Sequence, residues 1–364
     1  MKQKIGFIGL GLIGGSVAKA VRQYYPDAEI IAFDKSEEML APAVRESVID
    51  TACAGVDDNF SGCDYIFLCT PVSSNNAYLT RLKPYLHENC ILTDVGSVKT
   101  PIHEEIKALG MEENFIGGHP MAGSEKTGYA HSKAMLIENA YYILTPTEKV
   151  SSDKIEKLSS FIESLKAIPI ELDYGRHDYI TGTISHLPHL LAAGLVNYVK
   201  ENDSKDELMK LLAAGGFKDM TRIASSSPVM WQQICLENSK NITEILEKYI
   251  ALLEQTKKQI ETKNSQELYD MFDSSKNYRN SIPDASAGPI KKGFALYCDI
   301  ADEAGGIAAI AAVLAGGGVN IKNIGIIHNR EFEEGVLRIE FYEEKAADEA
   351  ARLLQKHKYT VYER

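Results

Sequence analysis

The tightest constraint on this chain lies near its start, where Gly9-Leu10-Gly11-Leu12-Ile13-Gly14 follows a short β-rich run, Lys4 to Ile8, and opens a helical stretch. A GxGxxG hexapeptide between strand and helix needs its glycines for separate reasons. They allow a tight turn, close approach of a pyrophosphate to bare backbone, and tight packing of helix on sheet. The helix N-terminus then faces the phosphate charge. Twenty residues beyond Gly14, Asp34 falls at the end of the next β-rich run, where a carboxylate accepts from a ribose 2′-hydroxyl and repels a 2′-phosphate. The expected cofactor is therefore NAD, held by Gly9, Gly11, Leu12, Ile13, Gly14 and Asp34, although the adjacent Lys35 weakens the bias against NADP.

From residue 1 to 173 short β-rich runs alternate with helical patterns, as a parallel sheet of βαβ units requires. The runs are Lys4 to Ile8, Glu29 to Phe33, Tyr65 to Cys69, Ile91 to Val95, Phe115 to Gly117, Tyr141 to Leu144 and Ile168 to Leu172. The expected first domain is thus α/β, a Rossmann-type doubly wound sheet. From 174 to 280 amphipathic helical patterns take over, at Ile184 to Val199, Glu207 to Ala214 and Val229 to Glu261. A helical domain with one long face suggests packing between subunits, so an all-α dimerisation domain and a homodimer are expected. Residues 281–292 are rich in small residues, proline and glycine and read as a linker. In 293–364 strand and helix patterns run in the order βαββαβ, a ferredoxin-like arrangement.

Composition excludes several functions. A formal charge of −12 leaves no net basic footprint for nucleic acid or anionic lipid, so an anionic ligand must be met by specific cations. No run reaches the roughly 18 apolar residues of a membrane helix, and the glycine-broken N-terminus lacks the pattern of a signal peptide. The six cysteines are scattered without a CxxC, as expected of reduced thiols in the cytoplasm.

Ligands of doubly wound sheets sit beyond the carboxyl ends of the strands, so the residues just past each strand are the candidates for the site. The third run leads into Thr70-Pro71-Val72, placed against the cofactor. The fourth leads into Asp94-Val95-Gly96-Ser97-Val98-Lys99, and the fifth into Gly117-Gly118-His119-Pro120-Met121-Ala122-Gly123-Ser124-Glu125. In the helical domain Ser185-His186-Leu187-Pro188-His189 sets a proline inside a helical pattern, a local rule broken and therefore a pointer to function. The two histidines share a face at i, i+3, but no carboxylate or cysteine stands at matching spacing, so no metal site is expected. Further on, Gly215-Gly216 permits close backbone approach. Arg222 suits either a ligand carboxylate or a salt bridge to Asp219.

Taken together, GLGLIGGS at 9–16, DVGSVK at 94–99, GGHPMAGSE at 117–125, HDYITGTISHLPH at 177–189 and GGFKDMTRIA at 215–224 closely resemble the prephenate dehydrogenase family. The resemblance spans roughly the first 280 residues. It implies an NAD-dependent oxidative decarboxylation of prephenate to 4-hydroxyphenylpyruvate in tyrosine biosynthesis, with arogenate as the alternative substrate. By the same resemblance His119 takes the proton of the 4-hydroxyl, Ser97 orients that hydroxyl, and Arg222 grips a substrate carboxylate. Ser185 and His189 recognise the side chain, Ser124, Glu125 and Asp219 sit around the entrance, and Gly215 and Trp231 form walls. The C-terminal unit resembles an ACT domain, more loosely because Ala304 stands where many members carry proline, and motivates feedback by tyrosine. A β-hydroxy-acid dehydrogenase would rely on a lysine in the helical domain. A non-catalytic regulator binding NAD and an amino acid would not need Ser97, His119 and Arg222 together.

Overall fold

The computed structural model describes residues 2–71, 74–123, 126–282, 294–300, 304–327 and 335–363. Val72, Ser124, Glu125 and the linker from 283 onward lie outside them. The chain divides into two compact units, Met1–Pro289 and Ile290–Arg364.

The first unit begins with β1 (Lys4–Ile8), α1 (Leu12–Tyr24), β2 (Glu29–Phe33), α2 (Glu37–Arg45), β3 (Thr51–Ala52), β4 (Tyr65–Leu68) and α3 (Asn75–Leu82). It continues through β5 (Ile91–Asp94), α4 (Thr100–Leu109), β6 (Phe115–Pro120), β7 (Tyr141–Pro146), α5 (Ser152–Ser164) and β8 (Ile168–Glu171). These strands form one sheet in the order β3-β2-β1-β4-β5-β6-β7-β8. Alternation along each strand feeds two cores. Ile5, Phe7, Tyr65 and Phe67 pack with Val17, Val21, Phe161 and Ile162 of α1 and α5. Ile8, Ile66, Leu68 and Leu92 pack with Leu79, Leu82, Ile102 and Ile106 of α3 and α4. Helices thus cover both faces, as a doubly wound sheet requires.

Two features depart from the sequence expectation. β3, only two residues long, adds an edge strand that no apolar run announces. β7 runs antiparallel to β6, so the sheet is mixed rather than parallel. A parallel return needs a crossover helix. The described residues between these strands hold only short 3-10 turns at Tyr129–His131 and Ala134–Leu136.

The helical layer starts at α6 (Tyr174–Thr181), whose cap is the Asp173 carboxylate accepting from the Arg176 amide at 3.0 Å. α6 passes through a π turn at Gly182–His186 into α7 (Leu187–Asn202). Pro188 therefore does not break a helix interior. It stands in the first turn after the π segment, where the wider helical ring leaves room for its missing N–H and bulky Cδ. Then come α8 (Leu208–Leu212), α9 (Gly215–Thr221), α10 (Pro228–Glu237), α11 (Ser239–Glu261) and α12 (Ser265–Ser281). The long pattern from Val229 to Glu261 is thus two helices, interrupted at Asn238. The side chain of this buried residue donates to the Asp178 carbonyl at 2.8 Å and lies 3.1 Å from His186 Nδ1.

The second unit contains β9 (Phe294–Ile300), α13 (Gly306–Gly316), β10 (Asn323–Ile327), β11 (Gly335–Phe341), α14 (Glu344–Lys356) and β12 (Val361–Glu363). Its sheet order β10-β11-β9-β12, all antiparallel, is the expected βαββαβ ferredoxin-like fold. Leu296, Cys298, Leu337 and Ile339 meet Ile310 and Leu314 of α13 and Ala350 and Leu354 of α14 in a single core. The expected strand from Val319 starts only at Asn323, because Val319 is drawn into the packing beneath α13.

Candidate active site

The dinucleotide motif divides its glycines by task. Gly9 has φ +92°, a backbone conformation that side chains other than glycine's rarely adopt. At Gly14 a Cβ would stand 2.5 Å from the Gly9 carbonyl oxygen, so only glycine lets α1 approach β1. Gly11 has nothing within 4 Å of its would-be Cβ, leaving bare backbone open at the start of α1. The first turn of α1 carries no acidic side chain, and its free amides and positive dipole end suit a pyrophosphate. Asp34 accepts from Leu10 N at 2.7 Å and Ser36 N at 2.9 Å, which aims its carboxylate at the motif while each oxygen keeps a lone pair for a ribose hydroxyl. Thr70 is fixed by its hydroxyl on Asn75 Oδ1 at 2.8 Å, with Pro71 beside it.

Asp94 binds the next two strand ends together. It accepts from Gly96 N in the turn that carries Ser97, and from Gly118 N at 3.0 Å, one residue before His119. The fully buried Lys99 ammonium pairs with Asp94 and donates to the Gly118 carbonyl at 2.8 Å. Half-buried Ser97 and His119 are thereby held at the mouths of adjacent strands, β5 and β6.

His119 meets the helical layer through His177. His119 Nδ1 and His177 Nε2 are 2.8 Å apart, and His177 Nδ1 donates to Asp178 Oδ1 at 2.8 Å. Asp178 also accepts from the amides of Lys99 and Thr100 at 2.7 Å each. Burial works against its charge, but the hydrogen bonds from His177, Thr100 and Lys99 outweigh it and hold the carboxyl below its ordinary range. Burial pushes His119 well below the ordinary histidine value, and the neighbouring His177, Lys99 and His186 add to the effect, so the ring is neutral near pH 7.

The far wall is aromatic and cationic. Trp231 on α10 meets His186 edge-on at 5.9 Å between ring centroids and lies against His189. His189 is held by its Nδ1 on the Ser185 carbonyl at 3.0 Å and feels the charge of Arg222. Arg222 opens a 3-10 turn that packs on α7, as does α9, which carries Gly215 and Asp219. The structure thus gathers Ser97 with His119, and Ser185 and His189 with Trp231 and Arg222. His177 lies on the first group and His186 on the second, and Asn238 bridges them by reaching both His186 and the Asp178 carbonyl.

The residues 17–171 match the family description "Prephenate dehydrogenase, nucleotide-binding domain", and residues 173–274 match "Prephenate dehydrogenase, dimerization domain". The prephenate dehydrogenase of Bacillus subtilis is 37% identical over 343 residues, covering 94% of this chain and 92% of the relative. The chain belongs to the prephenate dehydrogenase family. The family's enzyme from Lactococcus lactis is 34% identical over 358 residues, covering 97% of this chain and 98% of its own. The crystal structure of prephenate dehydrogenase from A. aeolicus with hydroxyphenyl propionate and NAD+ superposes with a TM-score of 0.73. It is 33% identical and covers 78% of this chain and 99% of that one.

As a member of this family the chain is an NAD-dependent oxidoreductase. His177, Asp178 and Lys99 stand inside the sequence motifs, which give no sign of their work, and nothing in the sequence singles out Asn238. A His-Asp pair just after a capped helix start was the available signal for the first two. Asn238 gave none, because its partners are 60 and 52 residues away. Among the described residues no helix is long and apolar enough to cross a membrane, and no three His, Cys, Asp or Glu side chains are grouped to hold a metal ion.

Proposed function

We propose that this chain converts prephenate to 4-hydroxyphenylpyruvate with His119 as proton acceptor and Arg222 as the carboxylate anchor. The observation that carries the reading is the His119 imidazole at the end of β6, where burial favours its neutral form, tied through Asp94 to the turn after β5 that carries Ser97, in the crevice where a doubly wound sheet places its ligand. NAD, when bound, supplies the hydride acceptor. His119 takes the proton of the 4-hydroxyl as the C4 hydrogen leaves with its electron pair. The resulting ring ketone accepts the electrons of the bond to the ring carboxylate, which departs as carbon dioxide. The phenolate then recovers the proton from His119, and aromatisation drives the sequence.

Ser97 orients the hydroxyl. Ser185 and His189 recognise the side chain, with Gly215 and Trp231 as walls and Asp219, Ser124 and Glu125 around the entrance. Arg222 positions its carboxylate more than it neutralises it, because stabilising a departing carboxylate in the ground state slows its loss. Gly9, Gly11, Leu12, Ile13, Gly14, Asp34, Thr70, Pro71 and Val72 hold the dinucleotide.

The functional form is a cytoplasmic homodimer. Six free thiols fit a reducing compartment. Leu211, Leu212, Leu236, Phe272 and Tyr278 stand exposed on the helical layer, an apolar surface of the kind that second copies cover. Residues 293–364 serve as an ACT domain through which tyrosine feeds back.

The test is NADH formation with prephenate, repeated with arogenate, with NADP and with added tyrosine. Turnover of 3-hydroxy acids in place of prephenate would overturn the assignment. Unchanged tyrosine inhibition after deletion of residues 290–364 would move tyrosine to the active site.

A further inference from the structure

The proton acceptor proposed above has two ring nitrogens, and only one can serve. Asp178, an ionised carboxylate, can only accept, so the proton between it and His177 belongs to His177 Nδ1. That leaves His177 Nε2 as the nitrogen that accepts. The proton in the 2.8 Å contact between the two rings then belongs to His119 Nδ1. His119 Nε2 is left with a bare lone pair. The opposite arrangement, with His177 donating to His119 Nδ1, would place the proton on His119 Nε2 and abolish the base.

We propose that His177, anchored on Asp178, is a positioning residue that fixes the proton of His119 on Nδ1, keeps Nε2 as the base, and steadies the imidazolium formed when that base is used. The inference rests on the reading of His119 as proton acceptor and deepens it. Its frame is rigid: His177 and Asp178 are fully buried, and Asp178 is pinned by two backbone amides at the start of α4. Asn238 donates to the Asp178 carbonyl from the other side. The charged and titratable groups near the two rings are Asp94 at the end of β5, paired with Lys99 just beyond it, Asp178 on α6 and His186 in the π turn, with Glu237 on α10 acting on Asp178 and Lys99. Lys99 opposes a positive His119 from below, so the carboxylate reached through His177 is the nearest compensation along the hydrogen-bond chain.

The experiment compares wild type, His119→Asn, His177→Asn and His177→Leu with saturating NAD. Nitrogen-15 spectra of the histidine-labelled wild-type holoenzyme are recorded alongside. His177→Leu is expected to lower kcat by about tenfold or more, leave KM for prephenate and NAD near wild type, and displace the acid limb of the kcat profile. His177→Asn, whose amide can still accept from His119, recovers part of the rate. In the spectra His119 carries its proton on Nδ1, a readout that stands even if the variants fail to fold. A proton on Nε2 of His119, or wild-type kcat and pH profile in His177→Leu, would overturn the proposal. If His119→Asn itself keeps near-wild-type turnover, the proton-acceptor reading falls and this inference falls with it. If His119→Asn is crippled while His177→Leu is not, only the inference falls.

Discussion

The imidazole of His189 lies flat on the indole of Trp231, with ring centroids 3.7 Å apart and planes 24° from parallel. Its Nδ1 is spent on the Ser185 carbonyl, so Nε2 is the nitrogen left for a ligand. Stacking of this kind contributes about 0.5 to 1.5 kcal/mol beyond buried area. Trp231→Ala should therefore raise KM for prephenate about tenfold, with kcat moving less, while Trp231→Phe keeps most of the surface and most of the affinity. Equal losses in both variants, measured by steady-state kinetics, would show that the stack is not what holds His189.

Removing the base and removing the anchor should look different. His119→Asn is expected to lower kcat on the order of 100- to 10,000-fold with substrate binding largely kept. Arg222→Ala should mainly raise KM, by about 10- to 100-fold, because a charge-assisted contact to a carboxylate is lost. A fall in kcat with unchanged KM in the Arg222 variant would mean that the guanidinium acts in the chemical step instead.

Acid should unfold the first unit before its carboxylates titrate. Burial pushes His103 and His186 from the ordinary value of 6.5 down to about 4. Between those limits the unfolded chain binds more protons than the native one, so stability falls as pH drops from 6.5 towards 4 and is flat, for these groups, above 6.5. His103 stacks on Tyr174 at 4.4 Å and bonds Thr145 Oγ1 at 2.9 Å. His103→Phe should be less stable at pH 7.5, with Thr145 unpaired, yet lose Tm less steeply with acid. A Tm profile parallel to wild type would reject His103 as a source of the slope.

Cofactor choice should turn on Asp34. Asp34→Asn keeps an acceptor for the Leu10 or Ser36 amide but removes the charge that repels a 2′-phosphate. The ratio of kcat/KM for NAD over NADP should shrink by about tenfold or more. An unchanged ratio would place discrimination elsewhere, with Lys35 the first residue to examine.

Much of this molecule was legible in the chain because its signals are local. Gly9, Gly11 and Gly14 announce a turn whose requirements are met within six residues, and the short β-rich runs announce the sheet. What escaped depends on distance along the chain. The antiparallel course of β7 is decided by the short turns that precede it, not by anything within Tyr141–Pro146. The break at Asn238 arises from partners on α6 and in the π turn. His177 looked like an ordinary helix residue until the fold set its ring 2.8 Å from one at the end of a strand 58 residues earlier. Pro188 signalled an irregularity but could not say that the helix would widen to absorb it.

That widening absorbs a geometric surplus where it arises. A π turn spends one residue more than an α turn, and each residue swings the later side chains about 100° around the axis. The wider turn at Gly182–His186 absorbs that surplus, so everything from Leu187 onward keeps the phase of a regular helix one residue shorter. Deleting a single exposed residue there, Thr183 or Ile184, would close the turn into regular α geometry and leave His189 on the indole, whereas inserting one residue between Leu187 and Pro188 would swing His189 off it. The lengthened protein should keep its circular dichroism and its grip on dinucleotide while losing prephenate, and the shortened one should keep all three, the sign that the wide turn shields this wall of the pocket from its own extra residue.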